Sequence, residues 1–190
     1  GQQNVTVTGE VLFEGNYVLS QKGERLSDLV KRAGGLMPEA YAKGARLLRQ
    51  MTPDEKARVE SVLKLSKQTD KDSIDINRLD IGNTYYVGIE LKKAIENPGS
   101  DYDVVLREGD QLVVPQYTGT VKISGAVMYP NTVVYKKNAK LNYYIEQGGG
   151  FASRAKKRRV FIVYMNGTVQ KSKTFSKAKA APGCEIIVPV

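Results

Sequence analysis

The sequence has no histidine, and Cys184 is its single cysteine in 190 residues. Without histidine there is no histidine-dependent catalytic triad and no Cys/His zinc site, and a single thiol cannot close an internal disulfide. Long apolar runs are missing as well. The longest, residues 160–165 (VFIVYM), is far short of the roughly 20 residues a membrane helix needs. The first residues, GQQNVTV, contain neither a basic n-region nor an apolar h-region, so any signal peptide or lipid attachment site is expected outside this sequence. Neither a P-loop GxxxxGK[ST] pattern nor a GxSxG nucleophile motif occurs.

Acidic residues are scarce in one part of the chain. Residues 120–190 hold 13 Lys and Arg against 2 Asp and Glu, whereas residues 1–119 hold 16 against 18. The net charge of +9 is therefore the sum of a slightly acidic part and a strongly basic one. Such an asymmetry indicates two units with different surfaces, the basic one suited to an anionic partner. With 41% hydrophobic residues the chain can bury a core, as one mid-sized domain or two small ones.

What is present is a repeat. VTVTGEVLFEGNYVL (residues 5–19) aligns without a gap with VKISGAVMYPNTVVY (residues 121–135). Val5, Val7, Gly9, Val11 and Phe13 match Val121, Ile123, Gly125, Val127 and Tyr129, a period of two that predicts a half-buried strand. A short turn at Glu14-Gly15-Asn16 or Pro130-Asn131 and a second strand complete a predicted hairpin in each copy. Leu26, Leu29, Val30 and Ala33 then follow helical spacing, as do Leu141, Tyr144, Ile145 and Gly148. Gly34-Gly35 and Gly149-Gly150 stand where these helices should stop, because glycine tolerates the left-handed conformation of a helix C-terminus. Glycines that close a helix do not cradle a phosphate, which needs backbone N–H groups at a helix start.

The copies diverge next. In the second, VFIVYM leads to Asn166-Gly167, which predicts a tight type I′ hairpin. In the first, RLLRQM (residues 46–51) runs into TPDEKARVESVLKLSKQ. There Thr52 and Glu55 form a capping box, Pro53 opens the helix, and Val59, Val62 and Leu63 offer an apolar stripe. TYYVGI (residues 84–89) reads as the returning strand, so residues 52–83 are an insertion in one hairpin, expected outside the core. Asp70, Asp72 and Asp75 lack the Gly and Glu positions of an EF-hand loop and read as solvated polar residues, with no metal site expected. Both copies end alike: REGDQLVVPQ (residues 107–116) matches APGCEIIVPV (residues 181–190), with Cys184 opposite Asp110 as a small turn residue.

Hairpin, helix, hairpin and closing strand is the order of a β-grasp domain. The patterns VTGEVLFEGNY, LSDLVKRAGGL and REGDQLVVPQ, repeated as ISGAVMYPNT, LNYYIEQGGGF and PGCEIIVPV, resemble the soluble-ligand-binding β-grasp (SLBB) domains of bacterial outer-membrane polysaccharide export proteins. The family hairpin reads GxVxxPGxY; here Glu14 replaces its proline in one copy and Asn131-Thr132 its glycine segment in the other. The resemblance implies an α+β fold of two tandem domains, 1–116 with an insertion at about 52–83, and 120–190. It further implies a non-enzymatic, cofactor-free periplasmic module of capsule or exopolysaccharide export, acting in subunit assembly or polymer passage across the outer membrane. Its partners would be further copies of itself, the polysaccharide and other export components, with membrane association only through residues outside this sequence. Two other classes remain open at this point: a module binding a small soluble ligand or glycan, and a polyanion or nucleic-acid binder, the latter without a recognised nucleic-acid motif. For an anionic partner the candidates are Arg154, Lys156, Lys157, Arg158 and Arg159, joined by Lys171, Lys173, Lys177 and Lys179 on the return segment. Their alternative reading is a solvated loop that guards a strand edge.

Overall fold

A computed structural model describes residues 2–69, 82–172 and 178–190. It contains two five-stranded mixed sheets, each built from one copy of the repeat. The first comprises β1 (Asn4–Gly9), β2 (Gly15–Val18), β3 (Arg46–Gln50), β4 (Thr84–Val87) and β5 (Gln111–Val114), in the order β2-β1-β5-β3-β4. The second comprises β6 (Thr120–Gly125), β7 (Asn131–Val134), β8 (Phe161–Val163), β9 (Val169–Lys171) and β10 (Glu185–Val188), in the matching order β7-β6-β10-β8-β9. In each, the opening strand lies parallel to the closing strand, and the other pairings are antiparallel. The fold is thus α+β, with two tandem β-grasp-like domains.

One helix covers each sheet. Helix α1 (Leu26–Arg32) buries Leu26, Leu29 and Val30, and its C-cap Ala33 is buried too. Helix α2 is Pro53–Thr69 and α3 is Leu91–Glu96; the helix of the second domain, α4 (Leu141–Gln147), buries Tyr144 and Ile145. The helical spacing seen in the sequence is thus the buried stripe of both helices. Both helices stop the same way. Gly35 N–H donates to Val30 O at 2.9 Å and Gly34 N–H to Lys31 O at 3.1 Å; Gly150 N–H donates to Ile145 O at 3.0 Å and Gly149 N–H to Glu146 O at 2.9 Å. All four glycines have positive φ, so each pair is a Schellman cap whose N–H groups are already used.

The structure corrects three local expectations. First, the period-two strand does not reach Phe13 or Tyr129, which are 60% and 70% exposed. It ends at Gly9 and Gly125, where a Cβ would stand within about 2 Å of Val114 O or Val188 O, so the opening strand must bend where it crosses the end of the closing strand. Beyond the bend, Phe13 N–H bonds Ala33 O and Tyr129 N–H bonds Gly148 O, both at 2.8 Å, which lays the chain over the helix end. Second, the links between the opening strands are longer than short turns, because Val7 faces Gly15 and Ile123 faces Asn131. Third, Asn166-Gly167 is not a type I′ turn. Gly167 has φ +90 while Asn166 is not among the positive-φ residues, and Tyr164 N–H bonds Thr168 O while Gly167 N–H bonds Tyr164 O. That is a three-residue loop with a bulge at glycine. On α2, Val62 is 63% exposed and Leu65 61%, so neither belongs to the core. The capping box itself forms, with Glu55 N–H to Thr52 Oγ1 at 3.1 Å and Thr52 N–H to Glu55 Oε1 at 3.2 Å.

The second hairpin also joins the domains. Its tip places Asn166 Nδ2 2.9 Å from Ile89 O, Met165 against Gly44, and Gly167 against Tyr86. Tyr117, in the connection between the sheets, meets Tyr41 edge to face at 5.4 Å.

Candidate functional site

The basic residues of the second domain are not spread evenly over its surface. The loop between α4 and β8 is held by its own backbone: Lys156 N–H bonds Pro189 O at 2.9 Å, and Arg159 N–H bonds Lys156 O at 3.0 Å. This turn points Lys157 and Arg158 into a cleft of about 580 Å³. Leu141, Ile145, Phe151 and Val160 form its apolar floor, and Lys140 and Lys179 complete a rim of four cations. Lys157 Nζ lies 5.6 Å from the centre of the Phe151 ring, a cation–π arrangement. Among the described residues no carboxylate lines the cleft; the neutral polar groups there include Asn138, Asn142 and Ser172.

Of the residues expected from sequence, the structure therefore brings together Lys157, Arg158 and Lys179. It does not bring in the others. Arg154 is exposed on the loop outside the cleft, and Lys156 and Arg159 are half-buried away from the lining. Lys171 is exposed on β9, paired with Phe161. Lys173 and Lys177 lie outside the described residues, as do Asp70, Asp72 and Asp75. Lys140 is the cation sequence reasoning missed. It is contributed by the approach to α4, and its only signal was its place just before the predicted helix.

The first domain is different in kind. Among the described residues, its buried carboxylates are saturated within the fold. Asp110, 1% exposed, accepts both Arg49 Nε and Nη2 at 3.0 Å and Arg107 N–H at 2.8 Å. Glu24 pairs with Arg32 at 2.7 Å, and Asp103 accepts Ser27 N–H, Ser27 Oγ and Gly99 N–H. These carboxylates hold loops to α1 and to the sheet. On the surface, Glu55 meets Arg107 at 3.0 Å and accepts Tyr85 OH at 2.8 Å. The hydrogen bonds from Arg107, Tyr85 and the Thr52 backbone lower its pKa to about 2. Cys184 is 1% exposed and burial pushes its thiol pKa up, so it is a packing residue. Among the described residues, no group of three His, Cys, Asp or Glu could hold a metal ion, and no helix is long and apolar enough to cross a membrane.

The cation-rimmed cleft thus lies on one half of a tandem β-grasp scaffold. Comparison with known families places it further. The model of the SLBB domain matches residues 4–60 and again residues 120–172, together more than half of the chain and one match per sheet. The chain belongs to the SLBB domain family, a non-catalytic type. Over 96 residues it is 30% identical to the polysialic acid transport protein KpsD of Escherichia coli, an alignment covering 50% of this chain and 17% of that protein. A second Escherichia coli protein of the same name matches to the same extent. The aligned part is thus a small share of each relative's length.

Proposed function

We propose that this chain is a non-enzymatic, periplasmic module of a bacterial outer-membrane polysaccharide export protein, contributing to subunit assembly, to passage of the polymer, or to both. The observation that carries the reading is the tandem SLBB match, one copy per sheet, together with similarity to a polysialic acid transport protein. The partners are further copies of the chain, the polysaccharide and other export components. The two units run over residues 1–116 and 120–190, the first with its insertion at about 52–83. Two separate core clusters support that division, one around Leu29, Leu47 and Leu112 and the other around Ile123, Ile162 and Ile186.

The test is deletion of both units from the full-length protein in its host, with the polymer at the cell surface measured together with the level and oligomeric mass of the remaining protein. Loss of surface polymer with the protein still present is the expected result; unaltered export would overturn the reading. Expressing residues 119–190 alone tests the division, and a cooperative melt is expected. A second reading, a module that captures a soluble glycan, is favoured by one observation, the cleft of the second domain.

A further inference from the structure

We infer that the cleft of the second domain is a binding site for a carboxylate-bearing segment of an acidic polysaccharide, held by Lys140, Lys157, Arg158 and Lys179 over the ring of Phe151. The inference rests on the export reading and narrows it to one ligand class and one set of residues.

Three features of the cleft select that chemistry. Among the described residues its rim carries four cations and no carboxylate, so a neutral ligand would leave their mutual repulsion uncompensated, whereas an anionic one relieves it. Its floor is apolar, with Phe151 half-buried at its base, a surface that suits the C–H face of a sugar ring better than the diffuse charge of an ion alone. Its volume of about 580 Å³ lies within the usual range of roughly 300–1,000 Å³ for ligand pockets, and Asn142 supplies a neutral hydrogen-bonding group beside the cations. A protein partner with an acidic surface would use the charges but would have little use for the apolar floor between them. The second domain as a whole favours the same ligand, since residues 120–190 contain only Glu146 and Glu185 as acids, and Glu185 already accepts Ser124 Oγ at 2.7 Å and forms an ion pair with Lys122 at 3.6 Å.

The experiment measures binding of the 190-residue chain to short oligogalacturonate, which carries one carboxylate per sugar, by calorimetry at low salt. Its methyl ester, the same sugars without charge, and polyglutamate, the same charge without sugars, serve as the comparisons. Binding of oligogalacturonate that exceeds both, and weakens as salt rises, is expected. The double variant Lys157→Gln with Arg158→Gln should bind about tenfold more weakly, the change that 1.4 kcal/mol produces, while its melt is unaltered. Phe151→Leu should weaken oligogalacturonate and leave polyglutamate unchanged. Equal binding of oligogalacturonate and polyglutamate would reduce the site to unspecific charge attraction and overturn the inference, as would binding untouched by the double variant. The same double variant in the full-length protein separates the two readings. If it exports normally while deletion of both units abolishes export, the cleft assignment fails and the export reading stands; if the deletion has no effect, the export reading fails first.

Discussion

The two domains share a fold but solve one buried position in opposite ways. In the first, Asp110 sits at the start of β5 and is held by Arg49, two residues beyond Leu47 on β3. The register of the second sheet pairs Ile186 with Ile162 as the first pairs Leu112 with Leu47, so Cys184 takes the place of Asp110 and Tyr164 that of Arg49. Charge has been removed from both positions together. Burial raises the pKa of Tyr164 as well as that of Cys184, and the Tyr164 hydroxyl bonds outward to Lys179 O at 2.6 Å and Gln170 Oε1 at 2.9 Å. The fold thus demands that the two positions match each other, not that they be charged. A buried ion pair and an uncharged pair of similar reach are interchangeable in principle, while a mixed pair is not.

The largest effect should come from mixing the pairs. Arg49→Met leaves Asp110 buried without its partner and should cost the first domain about 3–5 kcal/mol, measured by urea unfolding. Cys184→Asp should be comparably damaging in the second domain, and the addition of Tyr164→Arg should recover part of the loss. No recovery would mean that the two domains differ in more than this pair. Next in size are the central core positions: Leu47→Ala and Ile162→Ala, both at fully buried sites, should each cost about 2–5 kcal/mol. If the cores are separate, each variant should lower one of two melting transitions and leave the other in place.

A smaller effect is expected from replacing residues 52–83 with Asn-Gly, the dipeptide that ends the three-residue loop of the second domain. Met51 N–H bonds Asn83 O at 2.7 Å across the base of the insertion, so the excised ends already lie side by side. What is lost is chiefly the surface pair of Glu55 and Arg107, which solvent screens, and the melt should shift little. The smallest effect is one of pH. Because the folded pKa of Glu55 is lowered to about 2, its contribution is present above the ordinary carboxylate pKa and fades as pH falls toward 2. Glu55→Gln should therefore flatten acid sensitivity over that interval, seen as melting curves that converge with wild type at the acid end.

Much of this architecture was legible in the sequence because the informative residues are close together along it. Leu26, Leu29 and Val30 declare a helix by spacing, and Gly34-Gly35 declare its end by conformation. Helix α3 was not legible. Its buried residues, Leu91 and Ala94, give one interval in six residues, too few to show a period. The bend at Gly9 was hidden because its cause is Val114 O, on a strand that meets it only in the fold. The cleft had the same difficulty. Lys157 and Arg158 stood out as a charge run, but Lys140 and Lys179 join them through the packing of distant segments, while Arg154 and Lys171, conspicuous in the sequence, end up elsewhere.

The parallel pairing of first and last strands bears on how each domain is made. Thr6 is opposite Gln111 and Lys122 opposite Glu185, so neither sheet can gain its central strand until nearly the whole of its segment has been synthesised. Until then β1 and β6 have an open edge along the side their partner will occupy, the kind of edge that recruits strands from other chains. Folding dominated by such distant contacts is slow for its size. The insertion makes the first closure longer than the second, yet doubling a loop adds only about 0.6 kcal/mol to its closure, so the detour through residues 52–83 delays the first domain little. Because both domains hold their completing strand until the end, the period of greatest exposure to misassembly comes just before each closing strand, and a nascent chain halted short of Gln111 should be held by chaperones where one extended past Val114 is not.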